Sequence, residues 1–378
     1  MVENIIILGV TGSIGTTALK VIEQFPERFS LVGFSYHKNF ERAIEIQQKF
    51  NVKNICCSDQ SDDNLQKLWK SKNVEYFNST EDLLDIDYNA VIVSVVGSVG
   101  VRPTYKAIDQ GRKVYLANKE SMVMAGDILI KLAAEKNSLI LPIDSEHNSI
   151  YRLLQNKSGE EHITITASGG ALRDLEVTEL ANVSIRDVLQ HPTWQMGAKI
   201  TVDSATMVNK ALEIIEAHYL FNIAYDDLSA VIHPESFVHA ILQSLDGSMH
   251  MHAYNPDMIY AISHCLFYPD HAPRLNEKIR AHQIPDLQFY EIDKNRYPAY
   301  FLGVEAGKKG SSYPAVFNAC NEIAVQAFLD EKIGFVDIAN TIETIISSFQ
   351  QSLFGETLDG LFAADEWTRE ETRKHLSL

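Results

Sequence analysis

Between His191 and Glu216 the chain reads HPTWQMGAKITVDSATMVNKALEIIE. One loop and one helix there gather an imidazole, an indole, hydroxyls, an amide, an ammonium and a carboxylate. Asp203 or Ser204 is the expected N-cap of a helix running to about Tyr219, since neither Gly nor Pro interrupts it. At roughly 100° per residue, Val208, Leu212, Ile215 and Tyr219 share the side that faces a core. Thr206, Asn209, Lys210 and Glu213 share an adjoining arc. Ser204 is expected at the helix N-terminus, where free N–H groups and the dipole favour an anion. The pattern reads as a phosphate grip (Ser204, Asn209, Lys210) with Glu213, a ligand for a hard cation, one turn on. The plainer alternative is an amphipathic helix with a solvated Lys/Glu pair.

Side chains of this kind need a scaffold, and the N-terminus supplies its first piece. Ile5-Ile6-Ile7-Leu8 has the length of a buried strand and leads into Gly9-Val10-Thr11-Gly12-Ser13-Ile14-Gly15. Ala18, Leu19, Val21 and Ile22 then follow helical spacing up to Pro26. Strand, glycine turn and helix together predict a dinucleotide site, with the pyrophosphate on the helix N-terminus. The second strand, Phe29 to Ser35, ends in Ser35-Tyr36-His37-Lys38-Asn39 without the acid that would hold the ribose hydroxyls of NAD. A hydroxyl, an imidazole and an ammonium suit a 2′-phosphate, so NADPH is the expected cofactor.

The 378 residues suffice for two or three domains, and a net charge of −17 argues against nucleic acid or an anionic membrane as partner. An anionic substrate would need local positive charge from lysines or a metal. The 4 cysteines (Cys56, Cys57, Cys265, Cys320) follow no metal-ligand or secreted spacing and point to a reducing compartment. With the first strand at residue 4 or 5, a leader is not expected, and no apolar run reaches membrane-spanning length. Val52–Cys57, Ala90–Val96, Lys113–Ala117 and Ser138–Ile143 read as strands alternating with helices such as Glu41–Phe50 and Ser121–Glu135. The expectation is an α/β chain. Residues 1–145 form a doubly wound, Rossmann-type domain, and residues 146–270 a central α+β catalytic domain with strands His162–Ala167, Leu228–Ile232, Phe237–Leu242 and Ser248–Ala253. Residues 271–298 form a linker, and residues 299–378 a helical domain containing Ala315–Leu329, Phe335–Gln351 and Trp367–Leu376.

Three further clusters sit at strand ends, where open α/β sheets bind ligands. In Ile143-Asp144-Ser145-Glu146-His147-Asn148, a strand continuing from Ser138–Ile143 would point Asp144 and Glu146 the same way. With Glu213 they would give the three hard oxygens that suit Mg²⁺ or Mn²⁺. Solvated loop acids are the plain alternative. Lys119, in Ala117-Asn118-Lys119-Glu120-Ser121, is placed to reach the nicotinamide pocket. Ser168-Gly169-Gly170 offers a hydroxyl beside two flexible N–H groups, a phosphate contact.

Together, ANKES, DSEHNS, ASGG, HPTWQMG and VDSATMVNKALEIIEA behind GVTGSIG resemble the 1-deoxy-D-xylulose 5-phosphate reductoisomerase family, and FNACNEIAVQAFL extends the likeness toward the C-terminus. The resemblance implies a homodimeric cytoplasmic enzyme of the non-mevalonate route to isoprenoids. Such an enzyme uses NADPH and a divalent cation to make 2-C-methyl-D-erythritol 4-phosphate. It implies metal ligands Asp144, Glu146 and Glu213, which with Lys119 form the catalytic set. It implies substrate contacts from Lys119, Ser145, Glu146, Ser168, His191, Ser204, Asn209, Lys210 and Glu213. Cofactor contacts fall to Thr11, Gly12, Ser13, Ile14, His37, Lys38, Asn39, Asn118, Glu120 and Gly197. Asp187–Lys199, carrying Trp194 and Met196, is the expected lid. Val10 departs from a small polar residue, His37 from a frequent Gly, and SMHMHAYNPDM is unusually His-rich. His250 and His252 alternate along a strand and read as surface residues. A simple NADP-dependent dehydrogenase with structural acids, and a dinucleotide-sensing module, are the competing readings.

Overall fold

The computed structural model describes residues 2–59, 64–155, 162–194 and 196–378. The chain divides into two compact units. The first comprises Met1–Ser121, Leu129–Asn148 and Met258–Glu277; the second comprises Met122–Ile128, Ser149–Asp257 and Lys278–Leu378. The C-terminal helices and the expected linker from Lys278 onward therefore share a unit with the smaller sheet, while residues 271–277 of that linker belong to the first.

The first unit is built on a 7-stranded parallel sheet: β1 (Glu3–Leu8), β2 (Phe29–Tyr36), β3 (Asn54–Cys57), β4 (Glu75–Phe77), β5 (Ala90–Val93), β6 (Lys113–Leu116) and β7 (Ile140–Pro142), in the order β4-β3-β2-β1-β5-β6-β7. Ile5 to Leu8 are wholly buried, as a central strand covered on both faces must be. The strand order reverses between β1 and β5, which opens a crevice at their carboxyl ends. The short edge strand β4, of 3 residues, had no periodicity for the sequence to reveal. The helix Ile259–Phe267, expected within the catalytic segment, packs on the first unit instead. There Phe267 meets Phe25 and Phe29 edge-to-face at 5.0 and 5.2 Å.

The second unit carries a 4-stranded mixed sheet in the order β11-β10-β8-β9: β8 (His162–Ala167), β9 (Leu228–Ile232), β10 (Val238–Gln243) and β11 (Met249–Ala253). Ile163, Ile165, Ala240 and Leu242 of this sheet share one core with Val208, Leu212 and Ile215 and with Val316, Phe317 and Cys320 of the helix Tyr313–Leu329. The segment 278–298 lies across β10, with Ile279 and Phe289 against Phe237, Val238 and Ile241. The final helix is Leu358–Leu376, which begins nine residues before Trp367, where the sequence pattern placed it. The Thr357 N-cap, accepting from the Gly360 N–H at 3.2 Å, defines its start.

One expected element is not there. Instead of a single helix capped by Asp203 or Ser204, the chain forms Ala198–Ala205 and then Val208–Phe221. Met207, at φ 60°, separates them in the left-handed region. Ser204 thus ends one helix rather than starting another. The side chain of Met207 is buried, and its burial offsets a backbone strain on the order of 1–3 kcal/mol. A left-handed Met carries no sequence signature, so the break was invisible.

Candidate active site

The glycine turn after β1 has the geometry a dinucleotide needs. Gly9 stands at φ +88°, and a Cβ there would lie 2.9 Å from the Ser94 carbonyl oxygen, so only glycine fits. The Ser35 carbonyl accepts from the N–H groups of Gly9 and Val10, which welds the turn to the end of β2. Gly12 caps the helix Ser13–Gln24 without any side-chain bond, so the first N–H groups of the helix, with Thr11, Ser13 and Ile14 around them, face outward for an anion. Beyond β2, His37, Lys38 and Asn39 are exposed. The His37 ring meets the Ser58 hydroxyl at 3.1 Å, and Asn39 caps the next helix by accepting from the Arg42 N–H at 3.1 Å. Lys38 is the cation left facing solvent there. Val10 is buried, so its departure from a polar residue is a packing choice.

At the carboxyl ends of β6 and β7 the first unit assembles Lys119, Asp144, Ser145 and Glu146. Asn118 caps the helix Lys119–Lys136, and its amide donates to the Val95 and Gly97 carbonyls, at 2.9 Å each, and to Glu120 at 3.0 Å. Asn118 and Glu120 are buried braces that hold the β5 and β6 loops rather than side chains reaching outward. The strand does not continue to Asp144. It stops at Pro142, and Ser145–Leu154 is a helix. Asp144 stands before that helix and accepts from the Glu146 N–H at 3.2 Å, while Glu146 lies in its first turn. A helix start, not strand alternation, brings the two carboxylates together, with oxygens within 4.8 Å of each other. Lys119 donates to Asp144 through a short ion pair, and Ser145 donates to Glu146. Burial pushes the Asp144 carboxyl up, but the Lys119 ammonium and the His147 ring at 3.2 Å outweigh it and hold the group well below the usual carboxylate range. Asp144 is thus an anion at any physiological pH, and two clustered hard oxygens suit a divalent cation.

In the second unit Ser168 follows β8. Gly170, at φ +73°, lets this turn press against the end of the helix Ala198–Ala205; a Cβ there would lie 2.6 Å from the Ala205 Cα. That approach places Ser168 Oγ 3.0 Å and Ser204 Oγ 3.2 Å from the same nitrogen, His191 Nε2. Asn209, Lys210 and Glu213 sit in the first two turns of Val208–Phe221, where Glu213 accepts from the Asn209 amide and the Lys210 ammonium, at 2.5 Å each. Lys210 and Glu213 are both buried. The solvated Lys/Glu pair of the plainer reading is therefore excluded. Trp194 and Met196 are half-buried and Gly197 is exposed; Gln195, inside the expected lid, lies outside the described residues.

Profiles of the 1-deoxy-D-xylulose 5-phosphate reductoisomerase family match residues 5–126, and profiles of its C-terminal domains match residues 140–221 and 254–371. A relative of that name from Leptospira interrogans is 42% identical, covering 99% of this chain and 97% of its own. Another, from Listeria welshimeri, is 41% identical, covering 97% and 98%. The chain belongs to this family. A crystal structure of a reductoisomerase with NADPH, fosmidomycin and magnesium superposes at TM-score 0.93 with 32% identity, covering 100% of this chain and 99% of the other. The Zymomonas mobilis enzyme with NADPH does so at 0.91 with 34% identity, covering 100% and 99%.

Within this family frame, three side chains that the sequence did not assign to the site bear on it. His147 is buried against Asp144 and fixes the orientation of its carboxylate. Arg173 donates from Nη1 to the Ser168 carbonyl at 2.8 Å and brings a positive charge beside His191. Asp203, buried, takes Lys199 at 2.9 Å and the Asn321 amide at 2.8 Å, anchoring the helix that ends in Ser204. Arg173 was legible as a cation five residues beyond Ser168; the other two needed the fold. His250 is exposed, as expected, but His252 is half-buried, bonding Ser149 Oγ at 2.9 Å and packing on Tyr254.

Proposed function

We propose that the chain converts 1-deoxy-D-xylulose 5-phosphate to 2-C-methyl-D-erythritol 4-phosphate, as a step of non-mevalonate isoprenoid biosynthesis. NADPH and a divalent cation, Mg²⁺ or Mn²⁺, are its cofactors. The observation that carries this reading is the pairing of Asp144 and Glu146 at the end of β7, with Lys119 beside them, in a chain of this family. Asp144, Glu146 and Glu213 would hold the cation. When bound, the cation supplies a Lewis acid for the substrate's ketone and hydroxyl, and NADPH supplies a hydride to the rearranged aldehyde. Lys119 stabilises negative charge developing on the substrate oxygen during the skeletal change. Ser145 and Glu146 orient the hydroxyls. Ser168, His191, Ser204, Asn209 and Lys210 bind the phosphate, and their binding energy, spent far from the reacting carbons, orients them. The loop 187–199 closes over the substrate through Trp194 and Met196 and excludes water.

For the cofactor, Thr11, Gly12, Ser13 and Ile14 receive the pyrophosphate, and His37, Lys38 and Asn39 the 2′-phosphate. Asn118, Glu120 and Gly197 shape the nicotinamide end. The partition at 1–145, 146–270, 271–298 and 299–378 describes which stretch serves which task; the two compact units are drawn differently. The partner is a second copy of the chain: strand β11 ends its sheet beside the exposed Leu245, Met249 and Met251. The cytoplasm, where the four free cysteines stay reduced, is the proposed location. No helix among the described residues is long and apolar enough to cross a membrane. Incubation with 1-deoxy-D-xylulose 5-phosphate, NADPH and Mg²⁺ should yield the branched product and oxidised cofactor, and chelation should stop both. NADPH oxidation without a skeletal change would make the chain a plain dehydrogenase.

A further inference from the structure

The imidazole of His191 has two sides with different duties. On one side Nε2 lies between Ser168 Oγ and Ser204 Oγ, at 3.0 and 3.2 Å. On the other, Nδ1 accepts two backbone N–H groups, from Thr193 at 3.1 Å and from Trp194 at 2.9 Å. A ring nitrogen that receives two N–H donors has no room for a proton of its own. The proton of a neutral ring therefore sits on Nε2, and His191 donates toward the hydroxyl pair. Burial, and then the Arg173 guanidinium, bring the imidazole down to about 4, which agrees with a ring kept neutral by its surroundings.

We infer that His191 is a positioning residue as well as a phosphate contact: its Nδ1 ties the 193–194 backbone, and so Trp194, to the phosphate grip. This rests on the reading of Ser168, His191 and Ser204 as that grip. The arrangement is an Asx-type turn made by a longer side chain. In such a turn an acceptor at the δ position takes the N–H groups two and three residues on. Imidazole adds what asparagine lacks, a donor on the far side. One ring thus sets the start of the expected lid in the same frame as the hydroxyls that meet the phosphate. A phosphate seated on Nε2–H meets a loop already started in the right direction, and less ordering is left for closure.

Two substitutions separate the duties. In His191→Asn the Oδ1 atom falls where Nδ1 was, so the turn survives and the Nε2 donor is lost. In His191→Gln the amide reaches toward the Nε2 position, and the δ acceptor is lost. The primary readout is residue-resolved amide hydrogen exchange of Thr193 and Trp194 in the full-length, ligand-free protein, with circular dichroism and NADPH binding as checks of folding. Exchange at both amides should stay within about twofold of wild type in His191→Asn and speed up by about tenfold in His191→Gln, the size of one or two lost hydrogen bonds. In turnover, His191→Asn should raise KM for the sugar phosphate more than it lowers kcat, and His191→Gln should show the reverse. Slow exchange in His191→Gln, or unprotected amides in wild type, would overturn the tie. Because the exchange is read without substrate, that failure is distinct from failure of the proposed reaction, which would show as a wild-type protein that protects these amides yet makes no branched product.

Discussion

Glu213→Gln is the most informative single change, because Glu213 is buried, ion-paired and assigned to the cation at once. Its carboxylate lies 2.5 Å from the Lys210 ammonium, and the side chains are 1% and 3% exposed. At an effective dielectric of about 20 the gross attraction is about 7 kcal/mol, most of it offset by the desolvation of both charges. Removing one partner of a buried pair costs about 3–5 kcal/mol. Glutamine keeps the volume, the helix propensity and a carbonyl for the Asn209 amide, so the low end, about 3 kcal/mol, is expected. For a cooperative unit of this size that is a fall in Tm of about 6–12 °C. The catalytic loss is read separately, at a temperature where the variant is folded. Turnover should drop by about 10²-fold or more, equal to about 2.7 kcal/mol of lost transition-state stabilisation. Mn²⁺ titration followed by electron paramagnetic resonance should show weaker binding, and NADPH titration should be unchanged. Wild-type turnover, or unaltered Mn²⁺ affinity alongside lost turnover, would remove Glu213 from the cation site.

Charge reversal in Lys38→Glu should weaken NADPH by about 2 kcal/mol, roughly 30-fold, and NADH far less; equal losses by fluorescence titration would place Lys38 outside the 2′-phosphate site. Trp194→Ala should leave NADPH binding intact, raise KM for the sugar phosphate and lower kcat, and protease cleavage within residues 190–199 should be suppressed only when a phosphorylated analogue, metal and NADPH are all present. Equal protection with and without ligands would make the segment a fixed anchor. The His191 imidazole, lowered to about 4 by burial and by Arg173, should titrate there rather than near 6.5 in an NMR pH series. The unfolded chain takes up this proton first, so His191 favours folding above about pH 6.5, and that contribution is lost as pH falls from there toward 4. A midpoint near 6.5 would show that burial and the Arg173 charge do not keep the ring neutral.

Much of the site was legible because its chemistry is carried by residue type. The glycine turn after β1, the missing acid after β2 and the order of motifs from ANKES to NKALEIIE require no coordinates. What failed failed for local reasons. Asp144 and Glu146 were expected to align by strand alternation, yet the carboxylates meet because a helix starts between them. The helix after His191 was expected to be continuous, since nothing in TVDSATMVNK forbids it; a left-handed Met207, buried by tertiary packing, breaks it.

The sequence by itself determined the parallel sheet and the set of side chains proposed to react. Four consecutive apolar residues must be buried on both faces, and phosphate, hydride and metal chemistry each demand particular functional groups. Tertiary structure alone decided their pairings and charge states. It set Lys119 on Asp144, it closed Ser168 and Ser204 on one nitrogen of His191 through the contact at Gly170, and it returned the helix Ile259–Phe267 to the first unit. The physical reason is one of range. Propensity and periodicity act over a few neighbours along the chain, whereas burial, close approach and the shift of a proton depend on groups that only folding brings together.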